Sequence, residues 1–419
     1  MRAQLRVFLP LFVVMILSES LFLFNLGFPK NYLFDETAYV PAAQQYLSMA
    51  QLLNREHPPL AKQIIALGMA VFGDIPHGWR IMSTIFGTLA IAAMYMWALV
   101  LFRRVSWAVW VSLVTLSNQM VYIQSRIAML DIFVFAFLAW SLVALTASSD
   151  ERLARRFRKK TIYFAGAMLG LAAACKWSAL VPWAACAGLV ALSRFLYAKS
   201  QMKSSRPWTD IGWLDWFLAF AALPVTLYLM TYIPILFLRD GLFNDWTEIL
   251  NLHKKMWLDQ TTLTTPHSHS GRWYEWPILS RPVWYLFEVE PGDASRVRAV
   301  FMLGNPWVLG TGVVALLYCI WDWCRSGRRD VFWIVMSFAI FYIPWAAIPK
   351  PVTFVYYYMP AACTLGLALL YVFSGLKAWV KWAYLVVAFA FFVYFFPISS
   401  AISIPAASYN HWMWFDSWR

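Results

Sequence analysis

Two adjacent carboxylates, Asp35 and Glu36, stand in the stretch NYLFDETAYV, where the first apolar run of this 419-residue chain ends. Elsewhere single cations interrupt apolar sequence or stand at its edge: Arg126 in SRIAMLD, Lys176 in ACKWSAL and Lys350 ahead of FVYYYMP. A carboxylate held partly out of water has its pKa raised towards the range of a general base, and a fixed cation stabilises a departing anion. The same residues also have plain roles, because acids cap helix N-termini and basic side chains anchor spans at the membrane surface. The elements around them decide between the two.

Those elements are expected to be membrane helices. Hydrophobic residues make up 61% of the chain, aromatic residues 18% and charged residues 13%, against roughly a quarter charged in a soluble domain. Apolar residues fall in repeated blocks of about 20, the length with which an α-helix crosses about 30 Å of hydrocarbon while satisfying its own backbone. Barrel-like alternation is absent. The expected fold is an all-α integral membrane helix bundle with eleven spans, near 7–27, 79–101, 106–123, 128–147, 162–175, 178–197, 213–238, 299–320, 331–348, 354–374 and 381–397.

The net charge of +13 is distributed as an orientation signal and does not point to nucleic acid. Basic residues crowd into short loops that share one side with Arg2 and Arg6: Arg103 and Arg104, ERLARRFRKK at 151–160, Lys199, Lys203 and Arg206, Arg325, Arg328 and Arg329, and Lys377 and Lys381. The positive-inside rule puts that side, with the N-terminus, in the cytoplasm, and an odd number of crossings leaves the C-terminus outside. No small-x-small cleavage site follows the first apolar run, so an uncleaved first span is expected. The five cysteines (Cys175, Cys186, Cys319, Cys324 and Cys363) lack metal-ligand spacing and read as packing residues.

Two segments on the outer side are too long and polar to be simple connections. They are 28–78, within an N-terminal module 1–238, and 239–298, ahead of a C-terminal module 299–419. In the first, Tyr39, Val40, Ala43, Tyr46, Leu47, Ala50 and Leu53 recur at helical steps, and HPPL opens a second helix with proline in its first turn. Both are expected to lie along the membrane interface, with Asp35 and Glu36 at the N-terminus of the first. The second segment, with tryptophans at 257, 273, 276 and 284, reads as a membrane-hugging aromatic loop.

Seven motifs then occur in order: FDETAYV (34–40), EHPPLAK (56–62), GWR (78–80), SRIAMLD (125–131), HSHSGRWYEWPILSRPVWY (267–285), LGNP (303–306) and TFVYYYMP (353–360). In these the chain resembles the protein O-mannosyltransferase family, bacterial type, within the GT-C superfamily of polyprenyl-phosphate-sugar-dependent glycosyltransferases. The resemblance implies a GT-C helix bundle and inverting transfer of a sugar, usually mannose, from an isoprenoid phosphate to a serine or threonine hydroxyl at the extracytoplasmic face of the cell membrane. It implies that the acidic pair serves the acceptor and that the arginine at the fourth span, Arg126, serves the lipid phosphate. The chain departs from the family in two respects: the later loop has no room for a β-trefoil domain, and Tyr357 stands where the motif usually has histidine.

Asp35 is the expected base, with Glu36 orienting it or holding a partner. Arg126, Lys176 and Lys350 are the expected contacts to the donor phosphate, although the two lysines could equally cap their turns. Arg126 is expected to begin the fourth span, with Asp131 five residues on and about 7 Å deeper, positioned to pair with a cation such as Arg126 or Lys176. His57 reads as a hydrogen-bonding strut, and Lys62 as reaching either a sugar phosphate or solvent. Arg80 and Tyr357 enter as supporting residues through their motifs. No metal is expected, since His267 and His269 alone lack ligand spacing, and no cofactor beyond the lipid-linked donor. Glu19, inside the first span, should pair with a basic group on a neighbouring span. Two other readings remain: the same donor with a lipid or envelope-glycan acceptor, and a transporter, against which the charges cluster at one face and not at the bilayer midplane.

Overall fold

The structure is a computed structural model that describes residues 2–199, 208, 211–239, 245–262, 267–348 and 350–419. Lys203 and Arg206 of the expected basic loops lie outside the described residues. The first helix, α1 (Arg2–Leu23), turns Leu5, Phe8, Leu9, Phe12, Ile16 and Leu17 outward, the exposed apolar stripe of a span. Two short helices follow, α2 (Glu36–Ser48) and α3 (Leu60–Phe72), the second starting after Pro59 as HPPL implied. Next come α4 (Pro76–Phe102), α5 (Val105–Leu116), α6 (Gln119–Gln124), α7 (Asp131–Ser148), α8 (Arg155–Cys175) and α9 (Leu180–Lys199).

Nine of the described helical segments are long and apolar enough to cross a membrane, against the eleven spans expected. The expected span 106–123 breaks at Ser117–Asn118, where the Asn118 side chain caps α6, so α5 is only 12 residues long. The other shortfall is α8, whose first six residues, RRFRKK, include five basic ones.

Helix α7 is the buried axis of the bundle and packs on α4 and α8. Glycine permits two close approaches. A Cβ on Gly166 of α8 would lie 1.7 Å from the Ala219 carbonyl oxygen, and one on Gly87 of α4 would lie 2.1 Å from Ser125 Oγ. The first is the small-residue packing usual where helices meet in lipid. The second lets the irregular segment 125–130 press against α4.

The chain continues through α10 (Trp213–Phe217), a π-turn (Leu218–Ala222), α11 (Leu223–Met230) and α12 (Trp246–Thr262). A hairpin follows, a small sheet added to the expected helix bundle: β1 (Val283–Glu290) pairs antiparallel with β2 (Asp293–Met302), and β2 with the short β3 (Ile404–Pro405). Alternation in VWYLFEVE around the Pro-Gly-Asp turn was the signal. It lay inside a segment read as an aromatic loop. Strand β2 runs through the expected 298/299 boundary, and the span expected from 299 begins only at α13 (Pro306–Ser326). The last helices are α14 (Arg329–Tyr342), α15 (Met359–Phe373) and α16 (Ala378–Ser399).

The bundle has a basic end. Buried Asp150, just past α7, gathers Arg103 from the end of α4, Arg152, and Arg329 from the start of α14. Its carboxyl is held well below the usual range by these guanidinium partners, which outweigh its partial desolvation. The acids and lysines singled out from sequence lie at the other ends of these helices, with Arg80 in the first turns of α4 and Asp131 at the start of α7.

Candidate active site

Asp35 closes the turn that starts α2, and Phe34 before it takes a left-handed φ of 46°. A bulky side chain adopts that conformation only where its surroundings enforce it. Here the Phe34 ring stacks on Tyr285 of β1 at 4.7 Å and meets Phe354 and His267 edge-on. The strain leaves Asp35 facing a cavity of about 640 Å³, whose walls come from the 28–78 segment, α12, and the chain around Lys176 and Lys350–Tyr357.

Burial raises the Asp35 carboxyl above the usual carboxylate range; Lys176 pulls it back, Asp131 pushes it further up, and Tyr39 and His267 pull it down weakly. Among the described residues its one side-chain hydrogen bond comes from the Tyr39 hydroxyl, at 3.3 Å. Lys176 is buried and donates to both Asp131 oxygens at 2.9 Å, as expected of that acid. Its ammonium also lies over the rings of Tyr357 (4.8 Å) and Tyr356 (5.3 Å). Lys350 donates to Gln260 Oε1 at 2.9 Å and to the Tyr357 hydroxyl at 3.0 Å. The phenol that replaces histidine therefore sits between two ammonium groups.

The cavity also takes in His57, which lies edge-on to Tyr39. Burial pulls its imidazole well below the ordinary range, and three lysines pull in the same direction, so it is neutral. Its backbone carbonyl and that of Asn54 accept hydrogen bonds from Lys62, which is wholly buried. Lys62 thus reaches neither solvent nor the cavity: it pins the 54–57 turn. Burial draws its ammonium down to about 7, against a weaker upward pull from Glu56.

Two expectations, for Arg126 and Glu19, need correction. Glu36 does not line the cavity but holds a partner, one of the two roles expected of it. Its oxygens accept from Arg80 Nε (2.8 Å) and Nη2 (2.7 Å), from the Leu33 N–H (2.8 Å) and from the Ala128 N–H (2.8 Å), all out of contact with water. Arg80 completes this clamp by donating to the Pro29 carbonyl at 2.8 Å.

Arg126 does not line the cavity either. Helix α6 ends at Gln124 and α7 begins at Asp131, so the two residues do not share a helix and the 7 Å offset does not apply. The Arg126 guanidinium is held by the carbonyls of Phe22 and Phe24 and by the Tyr122 hydroxyl, beside a separate small pocket with Phe28 and Leu33. Glu19, in turn, accepts from the hydroxyls of Thr84 (2.7 Å) and Thr88 (2.6 Å) of α4, with no cation paired to it among the described residues.

Sequence reasoning passed over Tyr39, Asn54, Glu56, Tyr356 and the α12 residues Lys255, Asp259 and Gln260, all of which line the cavity. The signal for α12 was present: Ile249, Leu252 and Met256 recur at helical spacing and are the buried face of that helix. Gln260 bridges the site, donating to the Glu56 carbonyl at 3.1 Å while accepting from Lys350. The arrangement can remove a proton at Asp35 and receive an anion at Lys176 and Lys350 within one enclosure.

A family model described as dolichyl-phosphate-mannose-protein mannosyltransferase matches residues 12–235, and one described as the C-terminal four-TMM region of protein-O-mannosyltransferase matches residues 245–418. The polyprenol-phosphate-mannose–protein mannosyltransferase of Corynebacterium glutamicum is 27% identical over 431 residues, covering 87% of this chain and 81% of its own. The protein of the same name from Mycolicibacterium smegmatis is 24% identical over 479 residues, covering 94% and 90%. Among solved structures, the Saccharomyces cerevisiae Pmt1-Pmt2 complex bound to the sugar donor matches with a TM-score of 0.82 at 15% identity, covering 100% of this chain and 94% of that one. ArnT from Cupriavidus metallidurans bound to undecaprenyl phosphate matches at 0.57 and 17% identity, covering 93% and 62%. Both structural likenesses bear on the fold.

Proposed function

The chain belongs to the dolichyl-phosphate-mannose-protein mannosyltransferase family, and from that premise we propose that it moves a mannosyl group from a polyprenyl-phosphate carrier to a serine or threonine hydroxyl of a protein. What carries the reading in this chain is the placing of Asp35, Lys176 and Lys350 on one cavity.

In this mechanism Asp35 accepts the hydroxyl proton as the acceptor oxygen attacks the anomeric carbon from the face opposite the phosphate, which gives inversion. The bond from that carbon to the carrier oxygen breaks, and the phosphate leaves with the electron pair. Lys176 and Lys350 neutralise the charge that develops there. Asp131 and the Tyr357 hydroxyl hold the two ammonium groups, and Tyr39 holds the base. Glu36 and Arg80 act at one remove, since their ion pair fixes the turn that aims Asp35.

The protein is a multi-pass membrane protein. We place it in the cell membrane with its N-terminus cytoplasmic and the cavity extracytoplasmic, because the arginine cluster around Asp150 gathers at the far end of the bundle from Asp35. With two ammonium groups at the leaving group, the reaction needs no metal ion.

The test is transfer of label from polyprenyl-phosphate [³H]mannose to a threonine-containing peptide by the purified protein in detergent. Label that appears on peptide supports the reading. Label found only on added lipid or glycan would replace the acceptor, and none on any acceptor would overturn the proposal.

A further inference from the structure

Behind the Lys350–Pro351 wall of the main cavity lies a second cavity of about 490 Å³. Three cations, Arg272, Arg281 and Lys350, line it against the single carboxylate of Glu275, and Trp273 and Trp345 give it flat sides. Neither Arg272 nor Arg281 has a carboxylate within ion-pair distance among the described residues. Arg272 donates to the Tyr274 hydroxyl at 3.2 Å and Arg281 only to the Ser270 carbonyl at 3.4 Å, whereas Arg80, Arg103, Arg152, Arg298 and Arg328 each hold an acid. Glu275 is engaged locally, accepting from the Arg272 backbone N–H.

The floor is fixed. The Gly271 N–H donates to the Thr353 carbonyl at 2.9 Å, Thr353 Oγ1 to the Gly271 carbonyl at 2.7 Å, and Trp276 Nε1 to the same carbonyl at 3.1 Å. The two cavities also communicate through stacked rings, for Trp345 lies 4.7 Å from Tyr357 at an interplanar angle of 9°.

We propose that this second cavity is an acceptor subsite that receives an acidic side chain of the polypeptide, close in sequence to the serine or threonine being modified. The inference rests on the protein-acceptor reading above. A hydroxyl placed at Asp35 leaves the rest of an extended peptide to run out of the main cavity, and the neighbouring cavity beyond Lys350 carries the unmatched charge of Arg272 and Arg281. A guanidinium fork suits a carboxylate, and both forks rise from the backbone beside this fixed floor. A separate small pocket of about 30 Å³, with Val134, Leu138, Pro182 and Phe341 as its apolar wall, lies beside Asp131, Trp345 and Tyr357.

The experiment compares threonine peptides that carry one aspartate, or asparagine in its place, moved a position at a time on either side of the threonine. At one or a few positions the aspartate peptide should have kcat/KM roughly tenfold higher, and the ratio should shrink as salt is added because both arginines are exposed. The Arg272→Gln/Arg281→Gln double variant should bring the ratio to about one. Arg281→Glu should turn the preference towards lysine-flanked peptides, a gain that misfolding cannot produce. Equal use of all peptides by the native protein, or a ratio that survives in the double variant, overturns the subsite while transfer itself stands. A rise in donor KM as the sole effect of the arginine variants assigns the cavity to the donor and overturns it too. Transfer to no peptide overturns both this inference and the reading beneath it.

Discussion

The carboxylates of Asp35 and Glu36 are neighbours in the chain and opposites in setting: Asp35 accepts one side-chain hydrogen bond, at 3.3 Å, beside an open cavity, whereas Glu36 accepts four and is sealed from water. Successive residues on the first turn of a helix point about 100° apart. One turn thus presents a base and anchors itself.

Asp35→Asn should lower kcat by about a thousandfold, within the usual range for loss of a general base, and yet raise the melting temperature at neutral pH. The sign follows from the raised carboxyl. Its charged form is penalised in the fold, so stability present below the unfolded pKa is lost as pH rises through the folded value, and an amide removes that penalty. In the native enzyme kcat/KM should fall on acidification with a midpoint above about 4. An Asn variant with full transfer, or a midpoint at the free-aspartate value, would dismiss the assignment.

Glu36→Ala should destabilise the protein by about 3–5 kcal/mol, because Arg80 is left charged and buried. Replacing both partners, as Glu36→Leu with Arg80→Met, should cost less than the single change. Thermal unfolding in detergent checks the order of the three, and equal losses for single and double variants would count against a coupled pair.

Lys350→Met should raise the donor KM by about tenfold, as expected for the loss of one charge-assisted hydrogen bond to phosphate, with a smaller effect on peptide KM. A chelator should leave the rate unchanged. Initial rates across donor concentrations with and without EDTA test both statements, and metal-restored activity would add an ion to the site.

Arg126→Ala should act on stability first, lowering the melting temperature as the carbonyls of Phe22 and Phe24 lose their donor, at about 1–3 kcal/mol for buried acceptors left unsatisfied. Should the variant keep its melting temperature while donor KM climbs, the arginine belongs with the phosphate after all.

Asp35, Lys176 and Lys350, which share one cavity, stood out because each breaks an apolar pattern, and such breaks in lipid are costly enough to carry meaning. Where Arg126 points was not legible, since that depends on the irregular segment 125–130 between α6 and α7, whose close approach to α4 is permitted by Gly87, a residue distant in the chain. The fate of Lys62 turned on burial that helical periodicity alone does not give. Glu19 misled for a related reason. An acid inside a span needs donors, and sequence does not say whether an ammonium or a pair of hydroxyls supplies them.

That pair of hydroxyls bears on biogenesis. The donors that satisfy Glu19 stand 65 and 69 residues later in the chain, so during synthesis the leading helix carries an unquenched acid until the next long one emerges beside it. Insertion of the two is thereby tied together, since the acid of α1 finds its donors only once α4 stands beside it.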